Sequence, residues 1–194
     1  MFCGLVEMIS HDIRHLPPLI DTPVYSTGRD KLAQWAGRTG RTVTTDEKKI
    51  RRALEEALQN HAEAEKGICD RGYPLKIGLL GHSYNLYDRF INMDIRRKLN
   101  GLGIGVITSE CIDRVYIDAE VGKLFKKPFW SFAREYYGAA VSIFRMGKAD
   151  GIIYLSSFSC GIDSVVSELI RCEIGDFPFL VLKLDEHTGQ AGFD

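Results

Sequence analysis

GIIYLSSFSCGIDSVVSE occupies residues 151–168. Ile152, Ile153, Tyr154 and Leu155 are β-branched, aromatic and apolar without alternation, the pattern of a strand covered on both faces. Residues 156–161 are small and polar, which predicts a turn. Asp163 or Ser164 then caps a helix whose apolar side is Val165, Val166, Leu169 and Ile170. In an open parallel sheet, ligands bind beyond the carboxyl ends of the strands. Cys160 therefore falls where such a fold carries its chemistry. A helix N-terminus favours thiolate over thiol, and thiolate is the form that ligates metal or attacks. The competing reading is packing, since a free cysteine is commonly buried and inert. What sets this one apart is its polar loop.

The segment upstream repeats the pattern. Residues 76–81, KIGLLG, predict a buried strand, and residues 104–108 a second one. Between them a single helix is expected, with Ile91, Ile95 and Leu99 in register and Gly101 closing it. Strand, loop, helix and strand make a βαβ unit, whose crossover is right-handed. The loop after the first strand carries neither a GxGxxG nor a Walker sequence. Instead His82, Ser83, Tyr84, Asn85 and Asp88 offer hydrogen-bonding groups to a polar ligand, and Asp88 also suits a helix cap. Cys111 ends the second strand and is either a second candidate thiol or a structural cysteine. Residues 112–127 predict a short helix or lid. Pro128 opens a long helix over 129–146, with Phe132, Tyr136, Ala140 and Ile143 on one side. Aromatic bulk at Phe129, Trp130 and Tyr137 marks core or a subunit interface. A last strand spans 179–184, and Glu186 and His187 follow at its carboxyl end, as ligands or acid–base groups or as a solvated turn.

The N-terminal part is different. A short helix ended by Pro17 and Pro18, then a strand over 19–25, look like the tail of a domain. Arg38 and Arg41 suit a phosphate or a solvated loop. Residues 44–65 give the clearest helix, with Thr44 and Glu47 spaced as a capping box and an apolar stripe of Ile50, Leu54, Ala57 and Leu58. This helix is expected to pack across the following domain. The expected organisation is a partial α/β domain at 1–43, a connecting helix and linker at 44–72, and an α/β domain at 73–194. Both ends look cut from something longer, or completed by a partner.

Composition narrows the function. The 194 residues carry 25 basic and 26 acidic side chains, a net charge of −1, which argues against a broad nucleic-acid or acidic-membrane footprint. Apolar runs fall short of a bilayer span and no export signal is visible, so a cytoplasmic protein is expected. The five cysteines are Cys3, Cys69, Cys111, Cys160 and Cys172, widely spaced and without CxxC. That disfavours a disulfide scaffold and a zinc ribbon.

Two ordered motifs carry a family resemblance. GHSYNLYDRFINMDIRRKLNGLGIGVIT, followed by FSCGIDSVVSELI and FPFLVLKLDEHTGQAGFD, resembles the 2-hydroxyacyl-CoA dehydratase subunits and the acyl-CoA dehydratase activase-related proteins. The likeness covers residues 73–194 well and 1–25 weakly. It implies a Rossmann-like parallel sheet flanked by helices, with an N-terminal partial-domain appendage. It also implies an iron–sulfur cluster, of 4Fe-4S type, held by cysteines between domains. In that family an ATP-driven activase delivers one electron to the cluster protein, and a ketyl radical on the 2-hydroxyacyl-CoA permits loss of water. By resemblance Cys160 matches the cluster cysteine of the last domain and Cys3 one in the preceding domain. Cys111 has no firm counterpart, but joins the set if one chain is to complete it. His82, Ser83, Tyr84 and Asn85 would then line the facing cleft, with Glu186 and His187 on its far wall. The implied partners are the activase or a second dehydratase-like subunit, an acyl-CoA, and copies of the chain in an oligomer. Much of the preceding domain and a closing arginine-containing helix are missing from the pattern. Two other readings stay open: a non-redox domain that binds a CoA ester or other small polar ligand, and a structural subunit of a larger complex.

Overall fold

The structure, a computed structural model, describes residues 3–17, 19–20 and 28–185. It divides into two compact units, Met1–Glu63 and Ala64–Asp194. The first holds helices α1 (Cys3–Asp12), α2 (Arg29–Gly40) and most of α3 (Glu47–Ala64). Asp46, not Thr44, caps α3: its carboxylate accepts the amides of Lys48 and Lys49 at 3.0 and 3.3 Å. It stands directly before the first helical residue, where a side-chain oxygen reaches those amides. Most of the strand expected at 19–25 lies outside the described residues.

The second unit is an α/β sheet domain. Its strands are β1 (Leu75–Gly81), β2 (Ile104–Ile107), β3 (Gly151–Ser157) and β4 (Phe179–Leu184), all parallel, in the order β2-β1-β3-β4. Helices α4 (Ser83–Tyr87) and α5 (Ile95–Gly101) join β1 to β2. A 3-10 turn (Ser109–Cys111), α6 (Arg114–Gly122) and α7 (Ser131–Arg145) join β2 to β3, and α8 (Gly161–Ile174) joins β3 to β4.

Successive strand residues point to opposite faces, and both faces are covered. Leu80, Ile107, Ile152 and Tyr154 pack with α6, α7 and α8 through Ile117, Ala140, Ile143, Val166 and Ile170. Leu79, Val106, Ile153 and Leu155 face the other way, onto Leu86, Ile95 and Leu99 of α4 and α5. Two covered faces explain why the strands read as unbroken apolar runs. Tyr137 is core at 2% exposure, so the aromatic face expected around it reduces to Phe129 and Trp130, which are exposed.

The single helix expected after β1 is two helices. Asp88 accepts the amides of Phe90 and Ile91, and the Asn92 side-chain amide donates to the carbonyls of Asn85 and Leu86. These side chains compete with the helical ladder and stop it. Met93 and Asp94 then adopt φ of 50° and 54°, and α5 starts afresh. Its end differs too: Gly103, not Gly101, has the left-handed φ of 77°.

The outer edge of β2 is covered by the segment that precedes β1. Cys69 bridges Ile107 in antiparallel fashion, the Asp70 amide donates to Val106 O at 2.9 Å, and the Thr108 amide donates to Ile68 O at 3.0 Å. A disulfide between Cys69 and Cys111 fastens this segment to the turn after β2.

Candidate functional site

In the order 2-1-3-4 the chain steps from β1 to β2 on one side, then returns to β3 on the other. The connections after β1 and β3 therefore leave in different directions. A crevice opens between them at the carboxyl ends, the place where such folds bind ligands. Gly81 ends β1 with φ 141°, and a Cβ there would lie 2.3 Å from Leu155 O of β3. Only glycine lets the two strand ends come this close, and it delivers His82 directly into the crevice.

The two connections are laced by polar side chains. Ser157 Oγ lies 3.2 Å from the Tyr84 hydroxyl and accepts Asn85 Nδ2 at 3.1 Å. Asn85 also donates to Leu155 O at 3.4 Å and is buried. His82 and Ser83 open α4, as N-cap and first residue. The His82 ring stacks on Tyr84 at 5.0 Å and packs against Phe132 at 4.6 Å, so α7 walls one side.

Cys160 is the N-cap residue of α8 and is half-buried; its carbonyl accepts the Ser164 amide at 3.1 Å. Neither Asp163 nor Ser164 caps this helix. Asp163 turns inward and is fully buried. Its carboxylate accepts the Tyr154 hydroxyl at 2.9 Å, the Ser157 amide at 3.2 Å, and faces His82 Nε2 at 3.2 Å. Burial alone would raise this carboxyl, but the donors from His82, Tyr154 and Ser157 outweigh it and hold it below the ordinary carboxylate range. The Tyr154 hydroxyl is driven the other way, by burial and then by the Asp163 charge. The Cys160 thiol, a His82 ring nitrogen and an Asp163 oxygen lie within 4.8 Å of one another.

Asp163 and Tyr154 are the site residues that the sequence reading missed. A signal was present: a tyrosine within an apolar strand must find a partner for its hydroxyl, and a buried acceptor nearby in the chain supplies one.

The remaining candidates separate. Cys111 is bonded to Cys69, and a disulfide sulfur offers no thiolate, so the structure corrects its expected place beside Cys160. Physically, the strand-edge pairing of Cys69 with Ile107 brings the two cysteines together, Cα to Cα 5.9 Å. Cys3 opens α1 in the first unit. Glu186 and His187 lie outside the described residues. A 4Fe-4S cluster is typically held by four thiolates. The group around Cys160 has one sulfur, one imidazole and one carboxylate, and no second cysteine belongs to it among the described residues. Cys160 fits as a single cluster ligand; the set as a whole does not fit a cluster.

Fold and site together define a doubly wound α/β protein with a polar crevice at its switch point. The family described as the CoA enzyme activase uncharacterised domain (DUF2229) matches residues 1–112, more than half of the 194, and the chain belongs to it. The match includes β1, His82 to Asn85 and β2, and stops short of Cys160 and Asp163. No curated protein and no solved structure matches the chain. Among the described residues no helix is long and apolar enough to cross a membrane.

Proposed function

We propose that this chain is a component of ATP-activase-dependent CoA-ester chemistry, of the kind that dehydrates 2-hydroxyacyl-CoA, and that its switch-point crevice is the ligand site. Its partners in this reading are the activase or a second dehydratase-like subunit. The observation that carries it is the convergence of Tyr84, Asn85 and Ser157 with His82 at the carboxyl ends of β1 and β3, in a chain of the activase-related family. The ligand class is an acyl-CoA or another small polar molecule. Tyr84 and Ser157 would hydrogen-bond its polar groups beside the His82 ring. Isothermal calorimetry of the full chain against acyl-CoA esters, free CoA and ATP tests this. Binding lost on Tyr84→Phe and Asn85→Ala supports it. No heat from any of the three ligands counts against it.

A second reading follows from the exposed side of Cys160. Its thiol would serve as one ligand of an iron–sulfur cluster whose other sulfurs come from a second subunit. Such a cluster would supply one-electron chemistry. Anaerobic reconstitution with iron and sulfide, read by absorption and EPR, tests it. A protein that stays colourless, with no change on Cys160→Ser, would end this reading.

A further inference from the structure

We propose that His82, Cys160 and Asp163 form a binding site for one divalent transition-metal ion of the zinc type, with one coordination position open to the crevice. The proposal goes beyond the activase-family reading and does not depend on it. It starts from the disagreement above, since three different donor atoms meet where a cluster would want thiolates.

The donor set is chemically coherent for a single ion. Thiolate sulfur, imidazole nitrogen and carboxylate oxygen are the three ligand types of protein zinc, and three protein ligands with a free fourth position is the arrangement of catalytic zinc. The three donor atoms lie within 4.8 Å of one another, so small side-chain rotations suffice to bring them onto one ion. The three come from two connections that the sheet order forces together: His82 after β1, Cys160 and Asp163 after β3.

The surroundings hold the carboxylate as outer partners hold metal ligands. Tyr154 donates to Asp163 Oδ1 at 2.9 Å and the Ser157 amide to Oδ2 at 3.2 Å. Tyr84 stacks on the His82 ring and Phe132 packs against it at a tilt of 55°. In the metal-free arrangement His82 Nε2 and Asp163 Oδ1 face each other at 3.2 Å. An ion sits between these two atoms: the imidazole, in its Nδ1–H tautomer, offers the Nε2 lone pair to the metal, and Asp163 offers a carboxylate oxygen. The thiol releases its proton to solvent on binding. Cys160, half-buried at the head of α8, is the ligand through which the ion enters.

The test uses the full chain purified without added iron, stripped with a chelator, and titrated with Co2+ as a spectroscopic stand-in for zinc. The expected result is one Co2+ per chain, with a thiolate-to-cobalt charge-transfer band. Cys160→Ser should abolish the band, and His82→Gln should weaken affinity by at least about 10-fold, the scale on which even outer partners of a metal act. Cys172→Ser, on the exposed side of α8, should change neither. Circular dichroism of each variant confirms that it is folded. Absence of Co2+ binding, or a band that survives Cys160→Ser, overturns the proposal. Iron bound with an equal amount of acid-labile sulfide, lost on Cys160→Ser, also overturns it and favours the cluster reading instead. Calorimetry with CoA esters is a separate readout, so either reading can fail alone.

Discussion

His82 Nε2 and Asp163 Oδ1 stand 3.2 Å apart, although one follows β1 and the other lies in the first turn of the helix after β3. The contact ties two strand-to-helix connections across the switch point. Removing the carboxylate leaves the Tyr154 hydroxyl and the Ser157 amide without their partner. Asp163→Ala should therefore cost about 3 kcal/mol or more, the scale for breaking a buried pair from one side. Asp163→Asn keeps one acceptor and should cost less. Urea unfolding of the two variants checks the order.

Asp70 makes stability depend on acid. Burial raises its carboxyl, but hydrogen bonds from Arg96, Asn100 and the Val106 amide, with the Arg96 charge, bring it below the ordinary 3.8. A carboxyl lowered on folding contributes stability that is fully present above its unfolded value and is lost as pH falls through the folded one. Asp70→Asn should thus lower the melting temperature at neutral pH and flatten its decline below pH 3.8. Thermal melts from neutral to acid pH measure both.

The cysteines should sort by reactivity. With Cys69 and Cys111 joined, an alkylating reagent under non-reducing, denatured conditions labels Cys160 and Cys172 and spares that pair. Reduction adds Cys69 and Cys111 to the labelled set, as peptide mass spectrometry will show. Cys111→Ser opens a crosslink between residues 42 apart and should lower stability by about 2–4 kcal/mol under oxidising conditions.

Gly138 reports the seam between α6 and α7. A Cβ there would lie 2.5 Å from Ile117 O and 2.7 Å from Ile117 Cγ2. Alanine normally favours a helix. Gly138→Ala should nonetheless destabilise by about 1–3 kcal/mol, the range for overpacking. A gain in stability would show that α6 moves aside freely.

The parallel sheet was legible because its strands are apolar on both faces: runs such as Leu79-Leu80 and Ile152-Ile153 have no solvent side to betray a different architecture. His82 was legible because it directly follows such a run, and Cys160 because it stands in the short polar loop between one and the next helix. Asp163 was misread since an aspartate at the start of a helix usually serves the local amides, whereas here Tyr154 and His82 claim it from other elements. The Cys69–Cys111 bond was not legible at all. It depends on a short antiparallel contact at the β2 edge that no periodicity announces. The break between α4 and α5 was hidden for a related reason, in that Asn92 acts through distant carbonyls rather than through its own propensity.

The crosslinked strip along β2 gives the sheet a direction of growth. Its amides and carbonyls on that flank are already engaged by residues 68–70, while among the described residues no strand pairs with the far flank of β4. Any additional ribbon, from this polypeptide or another, would join beside β4 alone. Recruitment by strand addition is thereby one-sided, and a proline placed at an outward-facing amide of β4 would block it without touching the crevice.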